Sequence, residues 1–250
     1  MPSRKRLEQA SATRSYSTAL VRATGDLGKL PGGFLYSGDR PKNWKDWQHA
    51  WVHGYWAWDW ANSYERVASF DLDQHWVKTA PPHGQYGFRK EQRFYFLNVL
   101  EELDQPGEWF LDRKSHTLYF YPPAGVDPRK AKVEATRLRT LVHFKGTRTS
   151  PVRKVRFEGI TFRHAARTFM DTREPLLRTD WAIYRGGAIL FEGAVDCALE
   201  SCFLDQLGGN AIFVNRYNRG LKFKSLHIAR AGASGIHFVG DPAAARSALF

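Results

Sequence analysis

GAILFEG at 187–193, NAIFVNR at 210–216 and SGIHFVG at 234–240 decide the fold. Their first residues lie 23 and 24 positions apart. A second set interleaves with them: RFEGITF at 156–162, ALESCFL at 198–204 and KFKSLHI at 222–228, the last two again 24 apart. Each period holds two short runs rich in β-branched and aromatic residues, broken by Gly and Asn. That pattern describes a solenoid of strands and argues against helix pairs. The fold class expected is mainly β, a right-handed parallel β-helix.

Stacking one repeat on the next aligns Ile189, Ile212 and Ile236, then Phe191, Val214 and Phe238. The second strand aligns Phe157, Leu199 and Phe223, then Ile160, Cys202 and Leu226, then Phe162, Leu204 and Ile228. Each repeat of a solenoid buries its apolar face on its neighbours, so agreement down columns is the expected sign. Gly159, Ser201 and Ser225 also align, where a kink is expected to admit only a small side chain. Glu158, Glu200 and Lys224 form an outward column. The step from 156 to 198 is 42, and the excess is assigned to an excursion at about 166–185.

Outside the repeats the chain changes character. Residues 1–29 show no sustained periodicity and are expected to be a poorly ordered basic segment. Residues 30–132 form an expected aromatic-rich β module. Within it the aromatics of WVHGYWAWDWANSYERV (51–67) alternate as in a strand, Arg93–Leu103 reads as a strand passing into a short helical turn, and EWFLDRKSHTLYFYPP (108–123) reads as a β-hairpin. Residues 133–250 are the expected β-helix, cut off in mid-solenoid.

At 250 residues the chain can bury a sizeable core. The net charge of +12 is spread along it. Such an excess suits an acidic polysaccharide or nucleic acid, or is simply a basic surface, since no dense Lys/Arg stripe is present. No apolar run is long enough for a membrane helix. The first residues lack the apolar region of a secretory signal and read as an internal start. Cys197 and Cys202, placed on one strand, are expected to stay unpaired, with Cys202 buried.

HGYWAWDWANSY (53–64), RFYFLNVLEELDQPGEWFLDRKSHTLYFYPP (93–123) and GGAILFEG…CALESCFLDQLGGNAIFVNRYNRG resemble glycoside hydrolase family 141, bacterial β-helix proteins with an insertion domain. The resemblance covers about 33–250, and the order LEELD-PGEW-LD-K…LYF-PP is its most specific part. It implies a carbohydrate-active protein that cleaves glycosidic bonds of complex polysaccharides. It also implies longer relatives and a secreted or cell-envelope location. Catalytic carboxylates can lie on repeats beyond this chain, so no catalytic position transfers from the family.

Glycoside hydrolysis needs two carboxylates flanking the scissile bond, one as acid and one as nucleophile or base. Adjacent repeats can supply such a pair, because neighbouring strands lie about 4.8 Å apart. The acids of the repeats include Glu158, Glu192, Glu200, Asp205 and Asp241. Glu158 and Glu200 suit a solvated face with a Lys partner. Asp205 aligns with Arg163 on the preceding repeat, so an ion pair explains it as well as catalysis does. Asp241 precedes Pro242 and fits a turn. The excursion DTREPLLRTDWAIYR (171–185) is polar, aromatic and long enough to line a site. The candidates are therefore Asp180, Asp205 and Asp241 for catalysis, with Trp181, Tyr184, Arg185, His237, Trp56 and Trp58 for substrate. The aromatics at 55–60 make either a sugar-stacking platform or the core of a small module. No zinc or calcium spacing, phosphate loop or GxSxG is present, so no cofactor is expected. A polysaccharide-binding module without catalysis is the alternative function, and a basic nucleic-acid binder a more distant one.

Overall fold

The computed structural model describes residues 8–9, 32–56, 60, 62–81, 87–88, 92–171, 174–175 and 182–241. The chain divides into two compact units, Met1–Lys132 with Arg178–Trp181 and Val133–Leu177 with Ala182–Phe250. Among the described residues the only helical turns are 3-10 turns at Arg40–Asn43 and Leu100–Glu102; the rest of the regular structure is strand.

In the second unit the repeats pair in parallel. Val142–Lys145, Ile189–Glu192, Ile212–Asn215 and Ile236–Val239 form a four-stranded sheet. Ile189 faces Ile212, and Ile212 faces Ile236. Arg156–Glu158, Ala198–Glu200 and Lys222–Lys224 form a second sheet; Thr161–Arg163, Phe203–Leu207 and His227–Ala231 form a third. The chain visits the sheets in the same order on every pass. Val142–Lys145 belongs to the stack, so the repeats begin earlier than the run at 156.

Two causes hold these strands. Alternate side chains fill one interior: Phe144, Ile189, Phe191, Leu199, Leu204, Leu207 and Ile212 are buried together, with Phe144 stacked on Phe191 at 4.2 Å between ring centroids. Burial of such side chains is the main stabilising term, about 1.5–3 kcal/mol for each. The second cause lies at the corners. Lys154, Asp196 and Gly220 have φ of 55°, 55° and 62°; Gly159, Ser201 and Ser225 have 67°, 51° and 51°; His164, Gln206 and Arg230 have 62°, 51° and 49°. One left-handed residue bends the chain at the same place on each pass. Space for a small side chain is therefore not the requirement at 159, 201 and 225. A Cβ on Gly159 meets nothing within 4 Å, and the other two columns admit Lys154, His164, Gln206 and Arg230.

Asn side chains join repeats. Asn210 donates to the carbonyls of Gly186 (2.9 Å) and Tyr184 (3.2 Å) and accepts from the Ser234 N–H (3.1 Å). Asn218 accepts from the Ala194 N–H at 2.9 Å. The cysteines sit at corners between short strands, not on one strand; both are free and buried.

The first unit is a six-stranded antiparallel sheet in the order Glu8–Gln9, Arg93–Leu97, Trp51–Gly54, Ser63–Asp71, Trp76–Ala80, Gly33–Leu35. The aromatic run at 51–64 is not one strand. Trp51–Gly54 turns back to pair with the start of Ser63–Asp71, Gly54 facing Ser63. Arg93–Leu97 followed by Leu100–Glu102 matches the strand and helical turn expected there. The hairpin Trp109–Asp112 with Thr117–Phe120 forms as read. The core gathers Phe34, Trp44, Trp56, Phe88, Phe94 and Phe96, with Phe34 and Phe94 edge to face at 4.9 Å. Glu102 is buried beneath it and satisfied by Arg40 Nε (2.7 Å) and Trp44 Nε1 (2.9 Å).

Candidate functional site

Alternation along a strand sends every second side chain outward. On the four-stranded parallel sheet the outward columns are His143, Leu190, Phe213, His237 and then Lys145, Glu192, Asn215, Val239. Polar side chains on three neighbouring strands meet here. Glu192 Oε2 lies 3.0 Å from His143 Nε2, and Glu192 Oε1 accepts from Asn215 Nδ2 at 2.6 Å. Asn215 is buried, and its Oδ1 accepts from Arg185 Nη1 at 2.6 Å. Arg185 Nη1 also donates to the Gly240 carbonyl at 3.2 Å.

The geometry assigns protons. Asn215 presents an N–H to Oε1, so that oxygen is an acceptor; a proton held between Glu192 and His143 lies on the Oε2 side. Arg185 cannot act as an acceptor, which fixes the Asn215 amide with its oxygen toward the guanidinium. Glu192 and His143 keep side-chain exposures of 27% and 33%, within reach of a ligand. Phe213 points outward yet is fully buried, and Gly187 packs against its base; a Cβ on Gly187 would stand 3.1 Å from Phe213 Cβ. The His237 ring lies 5.5 Å from Phe213, and burial pushes the His237 pKa below its ordinary value.

Of the residues singled out in the sequence, Arg185 enters this cluster directly. His237 shares the outward column with His143, and Tyr184 holds Asn210 through its carbonyl. Asp180, Trp181 and Trp58 lie outside the described residues. Trp56 is a correction: it is 5% exposed, packed on Phe34 and Phe88, because the turn after Trp51–Gly54 folds it into the first unit's core. It offers no face to a sugar. His53 is likewise buried, bonded to Asn62 Nδ2 at 2.8 Å.

Asp205 is 2% exposed, with Arg230 at 2.6 Å and Arg163 at 3.4 Å. Burial raises its carboxyl pKa, but the Arg230 hydrogen bond and the charges of Arg230 and Arg163 outweigh it and hold the group below the usual carboxylate range. An ionised, enclosed carboxylate is an ion-pair anchor, not a proton donor. Asp241 is exposed beyond the last described strand. Glu200 is bridged by Arg156 at 3.2 Å, and Arg156 also reaches Glu158 at 2.9 Å. The cation facing these acids is that arginine, not Lys224.

Glu192 was counted among the acids of the repeats but not chosen as a candidate, and His143 and Asn215 were not singled out by sequence reasoning. The signal was present: a 23-residue step carries Glu192 onto Asn215. His143 was hidden because its strand, Val142–Lys145, precedes the run at 156 from which the repeats were counted. Among the described residues no group of three His, Cys, Asp or Glu side chains could hold a metal ion. Among the described residues no helix is long and apolar enough to cross a membrane.

A second outward surface lies on the first unit's hairpin. Trp109 faces Phe120 and Leu111 faces Leu118, so all four share one face of the ribbon, and all four are exposed, Trp109 by 63%.

Residues 69–123 match the family model of the GH141 insertion domain. A solved structure titled "Glycoside hydrolase" aligns with a TM-score of 0.58 at 20% identity, over 84% of this chain and 44% of that one. This chain thus spans under half the length of that protein. No curated protein matches by sequence. The chain resembles glycoside hydrolase family 141, including its insertion domain.

Proposed function

We propose that the chain is part of a glycoside hydrolase-like protein that acts on complex polysaccharides, with the second unit a right-handed parallel β-helix and the first its insertion domain. The match of residues 69–123 to the insertion domain carries this reading. The three parallel sheets visited in constant order support the β-helix. In this reading the protein works outside the cytoplasm, where such polymers are met.

Glu192 is the carboxylate we assign to acid/base chemistry. It is reachable, it is oriented by Asn215 through one oxygen, and it faces His143 through the other. A carboxyl so placed exchanges a proton through Oε2 while Oε1 stays fixed. The second carboxylate of the pair falls to Asp180 on the excursion, to Asp241, or to a repeat beyond this chain. Glu192→Gln keeps an oxygen for the Asn215 contact and replaces the other carboxylate oxygen with an amide nitrogen. Reducing-end release from plant and algal polysaccharides is expected to fall at least about 100-fold, the usual worth of a positioned proton-transfer group. An unchanged rate removes Glu192 from the chemistry.

A second reading, glycan binding without cleavage, is favoured by the exposed Trp109–Phe120 face. Aromatic rings offer flat apolar faces for sugar C–H groups. Trp109→Ala with Phe120→Ala is expected to lower retention on insoluble polysaccharide several-fold with no change in thermal midpoint. Equal retention by the variant discards that surface.

A further inference from the structure

The outer corner directly after the Glu192 strand carries a different chemistry from the rest of the second unit. Elsewhere several of its arginines are engaged: Arg156 with Glu158 and Glu200, Arg163 and Arg230 with Asp205, Arg139 with Asp171, Arg185 with Asn215. At this corner Lys145, Arg148, Arg153, Lys154, Arg216 and Arg219 are all exposed. No described carboxylate lies within ion-pairing distance of any of the six. The corner's own acid, Asp196, is turned against Gly220.

The six do not sit at random. The cations belong to the first and third repeats, while the second repeat contributes Gly193, Ala194 and Val195, buried and uncharged, and then the exposed Asp196, whose carboxylate is turned against Gly220. Val195 is flanked in register by Arg153 on one side and Arg219 on the other. Two strand spacings separate those backbones, about 9.6 Å. The result is a low floor of small and apolar side chains between two cationic banks, with Asp196 at its far edge. Arg148 reaches across it and lies over the Tyr217 ring, 5.7 Å from its centroid. The floor is continuous with the candidate site, since Lys145, Glu192 and Asn215 end the strands that enter it.

We propose that this corner binds a polysaccharide bearing carboxylates, a polyuronate, and feeds it past Glu192. The inference rests on the glycan reading above and names its substrate class. Arginine forks match carboxylates bidentately, cations on both banks can meet charges carried on alternate sides of a chain, and Tyr217 provides a ring against a sugar face. A single-stranded nucleic acid is the poorer fit, because its bases need a succession of aromatic platforms, and Tyr217 is the one described ring on this corner.

The test measures binding of the whole chain to polygalacturonate and to the same polymer after methyl esterification. The triple variant Arg148→Gln, Arg216→Gln, Arg219→Gln is compared with the unaltered chain. Binding to the acid form is expected to weaken at least tenfold in the variant and to fall with added salt; the ester is expected to bind at least tenfold more weakly than the acid. Unchanged thermal midpoint establishes that the variant is folded. Equal binding of acid and ester, or no loss in the folded variant, overturns the proposal. Duplex or single-stranded DNA bound as tightly and lost in the same variant overturns it in favour of nucleic acid. Binding is read apart from cleavage: a chain that cleaves neutral glycans through Glu192 yet ignores polyuronate sinks this inference alone. A chain that holds polyuronate through these arginines but is unaffected by Glu192→Gln sinks the catalytic reading alone.

Discussion

His237 shows how one side chain's surroundings become a property of the whole chain. Burial beside Phe213 pushes its pKa below the ordinary 6.5, so the folded state resists the proton that the unfolded chain accepts. The stability it contributes is complete above that ordinary value and is lost as the pH falls below it, down toward the folded value. Urea titrations between pH 7 and 5 are expected to show a decline that His237→Gln flattens. A decline of equal slope in the variant assigns it to other groups. At this scale the sequence was legible where register alone decides contact. Arg163 opposite Asp205 follows from counting, and so does Gln206 beside His164, at 3.0 Å. Arg230 was not foreseen, because a corner residue's direction depends on its left-handed backbone, which composition does not reveal. Trp56 failed for the opposite reason. Its polar, aromatic neighbourhood looks the same whether a turn folds it inward or leaves it on a surface.

Among the elements, the corners carry the most specific constraint. Gly193 has φ of 64°, and a Cβ there would stand within 2.5 Å of backbone atoms of Gly146 and Thr147. Gly38 has φ of 87° with nothing near an added Cβ. Gly193→Ala is therefore expected to cost several kcal/mol, through both the left-handed backbone and the clash. Gly38→Ala is expected to cost only about 1–2 kcal/mol from the backbone alone. Chemical denaturation of the two variants measures the difference; equal losses remove the close approach of the two corners as a cause. The strands themselves were readable, because alternating apolar residues recur with a fixed step. The aromatic run at 51–64 misled because one alternating pattern covers both a long strand and two short ones joined by a turn. Only the pairing of Gly54 with Ser63 separates the two cases.

The whole molecule holds two cores, one centred on Phe94 and Phe96 and one on Ile189, Phe191 and Ile212. Phe94→Ala and Ile212→Ala are each expected to cost about 2–5 kcal/mol. Hydrogen exchange is expected to place the loss of protection in the substituted unit. Loss spread equally over both units overturns two separate cores. The repeat unit was legible at this scale because its period is written in the sequence. The other unit was legible mainly through its hairpin and its strand-to-turn segment, since an antiparallel sheet of unequal strands has no period to read. Parallel pairing has a further consequence. Arg163 faces Asp205 across 42 residues, and Asp205 faces Ala229 across 24. Both steps produce the same neighbour relation, so the eighteen additional residues of the longer one leave the pairing register unchanged. Material can be spliced in or cut out at such a seam without renumbering any contact of the interior. Descent with insertion is then cheap for this architecture, and a new specificity can be grafted at one seam while the rest is inherited unchanged.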